Sequence, residues 1–367
     1  MKTTIRVPGR TELGGNHTDH QGGHVLASAV NIFIRAEVEK TDRAEIKLSS
    51  QGFGDFIINL DSLSPREEER GTAAALIRGV ADYLSGRGFK IGGYNASVSS
   101  DIPVGSGLSS SAAFEVLAGR IFNRLYNNGS IPELELAQAG RYAETLHFGK
   151  PCGLMDQCAC TFGGIIAIDF SKETPVIESI NADFKSLGYT LFIIGTGEAH
   201  SKLTEDYAAI TRDMRAAAAC FNKELLSQVS FKAFLSGLPE LRRTAGDRVV
   251  LRALHYFEED IRAQGMAEAL KKGNMGAYIA LMDEASRSSA ELLQNSYSPS
   301  KPHSQGISLA LAIGRRIHGR EGATRVHGGG FAGTVQALLP NALAEKYRAE
   351  MEGVFGAGSC MELEIYK

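Results

Sequence analysis

The chain has 367 residues with 39 Lys plus Arg against 42 Asp plus Glu, a net charge of −3, and 43% apolar and 22% charged residues. That balance excludes a disordered chain, and the lack of basic excess gives no reason to expect nucleic acid or an anionic membrane as partner. At ~100–200 residues per domain the length predicts two domains. Glycine is high (41 residues) and tryptophan is absent. The five cysteines, 152, 158, 160, 220 and 360, are odd in number and lack zinc-site spacing. With no apolar leader near the start and no run approaching the ~18 apolar residues of a span, they predict reduced thiols in a cytoplasmic enzyme.

In chain order, residues 25–39 are rich in β-branched side chains and predict strands, and 45–60 predict a strand, a turn and a strand. Residues 72–85 predict a helix, with Leu76, Ile77, Val80, Ala81 and Leu84 on one face. Residues 94–102 alternate as a strand. From Ala113 the apolar residues Phe114, Leu117, Ala118, Ile121, Phe122 and Leu125 recur at helical spacing, behind the capping residues Ser109, Ser110 and Ser111. A helix over about 133–148, strands at 164–170 and 189–196, and a boundary near 183–189 come next. Mostly helical sequence runs to about 295, followed by a loop and a helix at 306–318. Late strands at 334–339 and 361–366 flank a helix at about 342–352.

Residues 103–111 place glycines and serines between a strand and a helix start. Unsatisfied amides and the dipole favour an anion there, and Gly105 and Gly107 let backbone approach it. By itself the segment reads equally as a Ser-capped helix after a glycine turn. It is neither a Walker A nor a G-x-G-x-x-G loop, and no protein-kinase H-R-D or D-F-G set occurs.

The segment PVGSGLSSSAA resembles the phosphate loop of the GHMP small-molecule kinases, near P-x-G-x-G-L-x-S-S-A. Residues 8–26, PGRTELGGNHTDHQGGHVL, resemble the galactokinase signature, close to G-R-V-N-L-I-G-E-H-T-D-Y-x-G-G-x-V-L. Residues 151–157, PCGLMDQ, are similar to the segment around that branch's catalytic aspartate. Residues 327–334, HGGGFAGT, are similar to its C-terminal glycine motif, and HSKLTEDY at 200–207 to a stretch whose tyrosine contacts sugar. The motifs occur in family order over nearly the whole chain.

The resemblance implies an α+β, two-domain fold. Residues 1–184 would form a ribosomal S5 domain 2-like unit and 185–367 a ferredoxin-like unit, with the site between them. It implies an ATP-dependent sugar 1-kinase, acting on the anomeric hydroxyl of galactose or a close relative, as a monomer or weak homodimer. Gly105, Ser106, Gly107, Leu108, Ser109, Ser110 and Ser111 would cradle phosphate. Ser111 and Glu144 would hold Mg²⁺, Asp156 would act as base beside Arg10, and Asn16, His17, Asp19, Gly153 and Tyr207 would contact the sugar.

One departure bears on specificity. The signature has Glu before His-Thr-Asp, where it contacts the C6 end of galactose; this chain has Asn16. An amide still hydrogen-bonds a hydroxyl but does not repel a carboxylate. Galactose and galacturonate are therefore both open as substrates. A non-catalytic sugar sensor is a third reading, against which the intact SSSAA, Asp156 and Arg10 stand. Thr72-Ala73 replace an aromatic common on the nucleotide side, so ATP is inherited from the resemblance.

Overall fold

The computed structural model describes residues 2–50, 54–103, 107–197 and 203–367. Gly105 and Ser106 of the expected phosphate loop lie outside the described residues, as do 51–53 and His200, Ser201 and Lys202.

The first sheet holds β1 (Lys2–Gly14), β2 (His24–Lys40), β3 (Glu45–Ser50), β4 (Gly54–Asn59), β5 (Tyr94–Ser100), β6 (Ile165–Asp169) and β7 (Val176–Ile180). Its order is β4-β3-β5-β2-β6-β7, with β1 also paired to β2. β2 is one strand of 17 residues. Along it, β6 pairs with residues 24–28 and β5 with 34–40. The end of the chain fills the interval between them: Asn31 N donates to Glu364 O and Tyr366 N to Ala29 O, each at 3.0 Å. β1, β7 and β9 (Ala323–His327) are strands that alternation did not reveal. In β9 and in β1 from Val7 onward the reason is plain, since consecutive polar and apolar residues alike are buried and the period-2 contrast disappears.

Four helices accompany the first sheet: α1 (Ala73–Gly86), α2 (Ser110–Tyr126), α3 (Glu133–Tyr142) and α4 (Met155–Phe162). The predicted apolar face of α1 is buried throughout, and Thr72 caps it by accepting from Ala75 N at 3.4 Å. The predicted helix over 133–148 changes character. It is α-helical to Tyr142 and π-helical over Ala143–Phe148, which carries Glu144. Single π turns of this kind re-aim side chains and recur at functional sites.

The second sheet is β8 (Tyr189–Gly195), β9, β10 (Thr334–Pro340) and β11 (Cys360–Leu363), in the order β11-β8-β10-β9 with every neighbour antiparallel. Numbered along this half that is 4-1-3-2, the ferredoxin-like order, here with several helices inserted between its first two strands. The helices are α5 (Thr204–Ala219), α6 (Phe231–Ala245), α7 (Asp247–Lys271), α8 (Met275–Ser288), α9 (Gly306–His318) and α10 (Ala344–Phe355). One buried cluster joins Leu26, Val30 and Leu117 with Met266, Tyr278 and Leu338, so the two sheets share a core. α7 packs on β1 and β2 and brings second-half side chains to the first-half signature. No helix among the described residues is long and apolar enough to cross a membrane.

Candidate active site

β1 ends at Gly14 and the chain turns through residues 15–23, so the polar residues at its end face inward rather than toward water. They line a cleft of about 190 Å³ with Arg10, Glu12, Asn16, His17 and Asp19 on one side and Gly153, Asp156, Gln157, Gly328 and Gly329 on the others. A larger hollow of about 680 Å³ lies on the outer face of the first sheet, beside Glu37, Lys47, Asp55 and Asn95. It contains none of the expected site residues. The smaller cleft is the candidate site, because convergent polar groups with displaced pKa values meet there.

Asp156 lies in the first turn of α4. Arg10 grips it with two hydrogen bonds, Nε to Oδ1 and Nη2 to Oδ2, each 2.7 Å. Arg10 Nη1 also donates to Gly107 O at 2.5 Å, tying the carboxylate to the end of the phosphate segment. The Ser109 hydroxyl donates to Asp156 Oδ2. Burial pushes Asp156 up, but Arg10, by charge and hydrogen bonds, Ser109 and Lys150 outweigh it and hold the carboxyl below its usual range.

Ser109 is thus not the side-chain cap that sequence suggests. It sits at the N-cap of α2 with φ 54° and its hydroxyl is turned to Asp156. Ser110 is exposed at the helix start, whereas Leu108 is a core residue that meets the site only through its carbonyl, which accepts from Arg10 N at 3.2 Å.

In the first turn of α2, Ser111 Oγ lies 3.4 Å from Glu144 Oε1. Lys150 Nζ donates to the same oxygen at 3.0 Å, and Gln157 Nε2 bridges Glu144 Oε2 (3.1 Å) and Glu115 Oε2 (2.9 Å). Glu115 is fully buried and pushed well above the carboxylate range, first by burial and then by the charge of Glu144. A hydroxyl and a carboxylate side by side are hard oxygen donors of the type Mg²⁺ takes. Sequence reasoning missed Glu115 and Gln157. The available signal was that Glu115 stands four residues after Ser111 and so shares its helix face.

Asp19 opens the short turn Asp19–Gln21. Burial raises its carboxyl to about 6, against a hydrogen bond from the His20 backbone and with a further push from Asp156. Gly153 lies against it, and a Cβ at that position would overlap Asp19 Oδ2.

Asn16 is buried and fully engaged. Its Nδ2 donates to Gly328 O (2.7 Å) and reaches both oxygens of Glu12 (3.2 Å each), while its Oδ1 accepts from Asn295 Nδ2 (3.0 Å). Its backbone is held from α7: Glu259 Oε1 accepts from Gly15 N (3.1 Å) and Asn16 N (3.3 Å), and His255 Nε2 donates to Asn16 O (3.0 Å). Glu12 pairs with Arg325 of β9. Burial raises Glu12 to about 7 against the pull of Arg325 and Asn16.

The glycine motif is anchored one carbonyl at a time. Gly328 O accepts from Asn16. Gly329 O accepts from His17 Nε2 (3.1 Å) and Asn295 Nδ2 (3.2 Å), and Gly330 O accepts from the Tyr207 hydroxyl (3.0 Å). Because His17 Nε2 donates, its Nδ1 accepts from His20 Nε2 (3.3 Å), and His20 Nδ1 accepts from Gln21 Nε2 (3.1 Å). Burial lowers His17 to about 4 and His20 to about 3, so this chain of neutral rings persists near pH 7. Gly330 has φ 80°, and a Cβ there would overlap Asn295 O. The structure therefore brings His17 to the cleft with both ring nitrogens already engaged. Tyr207 stands behind the loop and is not a lining residue.

Glu12, Arg325 and Asn295 were also missed. For Glu12 a signal existed. The signature has Asn four positions before its Glu, and this chain has Glu12 four positions before Asn16, so the two residue types have changed places.

Residues 75–164 match the family model "GHMP kinases N terminal domain", and residues 2–40 match "Galactokinase galactose-binding signature". Among solved structures, galactokinase from Lactococcus lactis, complexed with galactose, superposes with a TM-score of 0.85 at 22% identity, covering 99% of this chain and 93% of that one. Mevalonate kinase from Methanococcus jannaschii gives 0.69 at 18% identity, covering 100% and 99%. The D-glycero-D-manno-heptose 1-phosphate kinase from Bacteroides thetaiotaomicron gives 0.67 at 15%, covering 100% and 97%. The first half therefore carries a GHMP kinase N-terminal domain and a galactokinase galactose-binding signature, on a fold shared end to end with these kinases, and together they indicate a phosphotransferase with an alcohol group as acceptor.

Proposed function

We propose that this sugar kinase transfers the γ-phosphate of ATP to the anomeric hydroxyl of galactose or a close relative. One observation carries the reading: an ionised Asp156, gripped by Arg10 and Ser109 at the entry to α2, faces the same cleft as Asp19.

In this reading Asp19 accepts hydrogen bonds from sugar hydroxyls, and Gly153 leaves room for the ring beside it. The sugar's anomeric hydroxyl points at Asp156. With its carboxyl held low, Asp156 is a weak base, so it orients the hydroxyl and takes the proton as the oxygen–phosphorus bond forms. Arg10 sits where negative charge grows on the transferring group and keeps Asp156 ionised. Gly107, Ser110 and Ser111 present the loop and helix end to the phosphates. Ser111 and Glu144 would hold Mg²⁺, which when bound neutralises phosphate charge. His17 and Tyr207 act by holding the glycine loop.

Asn16 in place of a glutamate is the observation that favours galacturonate. The Glu12 carboxyl, 3.2 Å from that amide, opposes it by bringing to the same cleft a group that is negative above about pH 7. The test is ADP release from MgATP with galactose and galacturonate side by side. Turnover with galactose preferred is the expected result. Preference for galacturonate would replace the substrate. Sugar binding without ADP release would make the protein a sensor.

A further inference from the structure

We infer that Glu12, positioned by Asn16, selects the C6 end of the sugar in this chain, accepting a hydrogen bond from a neutral C6 hydroxyl and rejecting a carboxylate there. The inference rests on the sugar 1-kinase reading.

The geometry is set by β1. Arg10, Thr11 and Glu12 pair in unbroken register with Ala29, Ser28 and Ala27 of β2. Residues 10 and 12 therefore project to one side, ~6.6 Å apart along the strand, while Thr11 turns to His327 and Gln336. Arg10 carries Asp156, the partner of the reacting hydroxyl. One strand repeat away is the scale of a pyranose ring, so a sugar with its anomeric end at Asp156 lays its opposite end toward Glu12.

At that end the available group is Glu12 and not Asn16. Both hydrogens of the Asn16 amide are committed, to Glu12 and to Gly328 O, and its oxygen already accepts from Asn295. Glu12 receives the one amide and Arg325, and Arg325 binds Oε1 only. A carboxylate has about four acceptor sites, so Oε2 keeps capacity for a hydroxyl. Above about pH 7, where Glu12 is ionised, it has none to give an incoming carboxylate, which would meet like charge at close range, so the sugars are compared at pH 8.

The alternative is that Glu12 serves only as the buried counter-ion of Arg325. The two are separated by kcat/KM for galactose, 6-deoxygalactose and galacturonate, in wild type, Glu12→Gln, Asn16→Glu and the Glu12→Asn/Asn16→Glu double variant, with folding checked by circular dichroism. Wild type should disfavour 6-deoxygalactose by roughly 100-fold or more, as sites built to bind a hydroxyl do. Glu12→Gln should shrink that ratio, and the galactose-to-galacturonate ratio, by about tenfold or more. Asn16→Glu alone should lose galactose turnover, because it sets two carboxylates together, and the double variant should recover most of it.

Equal use of galactose and 6-deoxygalactose by wild type overturns the inference without any variant. Glu12→Gln that lowers Tm yet leaves both ratios in place also overturns it, in favour of the counter-ion. A double variant that folds without recovery removes the assignment of Asn16. A wild type silent with every sugar overturns the kinase reading, and this inference falls with it.

Discussion

At one end of the cleft Arg10 holds Asp156 through two 2.7 Å hydrogen bonds; at the other, Arg325 meets Glu12 through a single guanidinium nitrogen. Both carboxylates are paired with arginine, and Arg10 and Glu12 stand two residues apart on one strand. Their electrostatic states are nonetheless opposite. Asp156 is held below the usual carboxylate range, and Glu12 is raised to about 7. The Asp156 side chain keeps 30% of its exposure and gains Ser109 and the field of Lys150, whereas Glu12 keeps 5% and faces the charge of Glu259 as well. An arginine neighbour does not decide the charge of a buried carboxyl. The count of donors against the degree of burial does.

The largest effect should come from removing the low-pKa member. Asp156→Asn should lower kcat by about 10²–10⁴-fold, measured as ADP release, while sugar affinity by calorimetry stays within a few-fold. Unchanged kcat would mean that the carboxylate neither takes the proton nor orients the hydroxyl.

Arg10→Gln comes next and tests the origin of that low value. With the guanidinium gone, burial prevails, so the Asp156 pKa rises and the acid limb of the kcat/KM–pH profile moves to higher pH. The rate itself should fall by roughly 10²–10³-fold at the plateau. An acid limb that does not move would deny Arg10 its electrostatic role.

Glu12 should show the reverse linkage. Its folded pKa exceeds the unfolded value, so its contribution to stability is complete below about 4.5 and is lost as pH rises through about 7. Relative to Glu12→Gln, wild type should lose up to roughly 3 kcal/mol between pH 4.5 and 8 in urea unfolding. Parallel pH curves for the two proteins would deny Glu12 its raised value, and a wild type that gains stability over Glu12→Gln as pH rises would place Glu12 with Asp156 instead.

The smallest effect belongs to a third pair, Arg243 and Glu240, whose side chains are 70% and 64% exposed on α6. Glu240→Gln should leave Tm and kcat/KM unchanged within error, since exposed pairs are screened and their side chains mobile. A measurable loss would show that exposure is not what separates it from the cleft pairs.

Much of the frame was legible in sequence. The helices at 73–86, 110–126 and 306–318 follow their apolar spacing, β3, β5, β6 and β8 fall within the segments expected to be strands, and β10 runs one residue past its expected end. β1 and β9 were hidden because strands carrying a site, or buried on both faces, lose their alternation. Of the expected site residues, Arg10, Asn16, His17, Asp19, Gly153 and Asp156 all line the cleft. Ser111 and Glu144 lie side by side, whereas Leu108 and Tyr207 stand behind it.

By itself the sequence determined the family motifs, their order and the local backbone they require. These are properties of residues close in the chain: a helix end with open amides, a glycine where a Cβ would clash, an apolar stripe at helical period. Only the tertiary structure decided the charge and the duty of each polar group. Glu12 meets Arg325, Asn16 meets Asn295 and Gly328, and Gly15 meets Glu259, all across more than 240 residues. Burial, a property of the assembled fold, sets what those contacts are worth. For that reason the substitution at position 16 looked like the loss of a carboxyl group, and the folded chain brings one to the Asn16 amide from position 12.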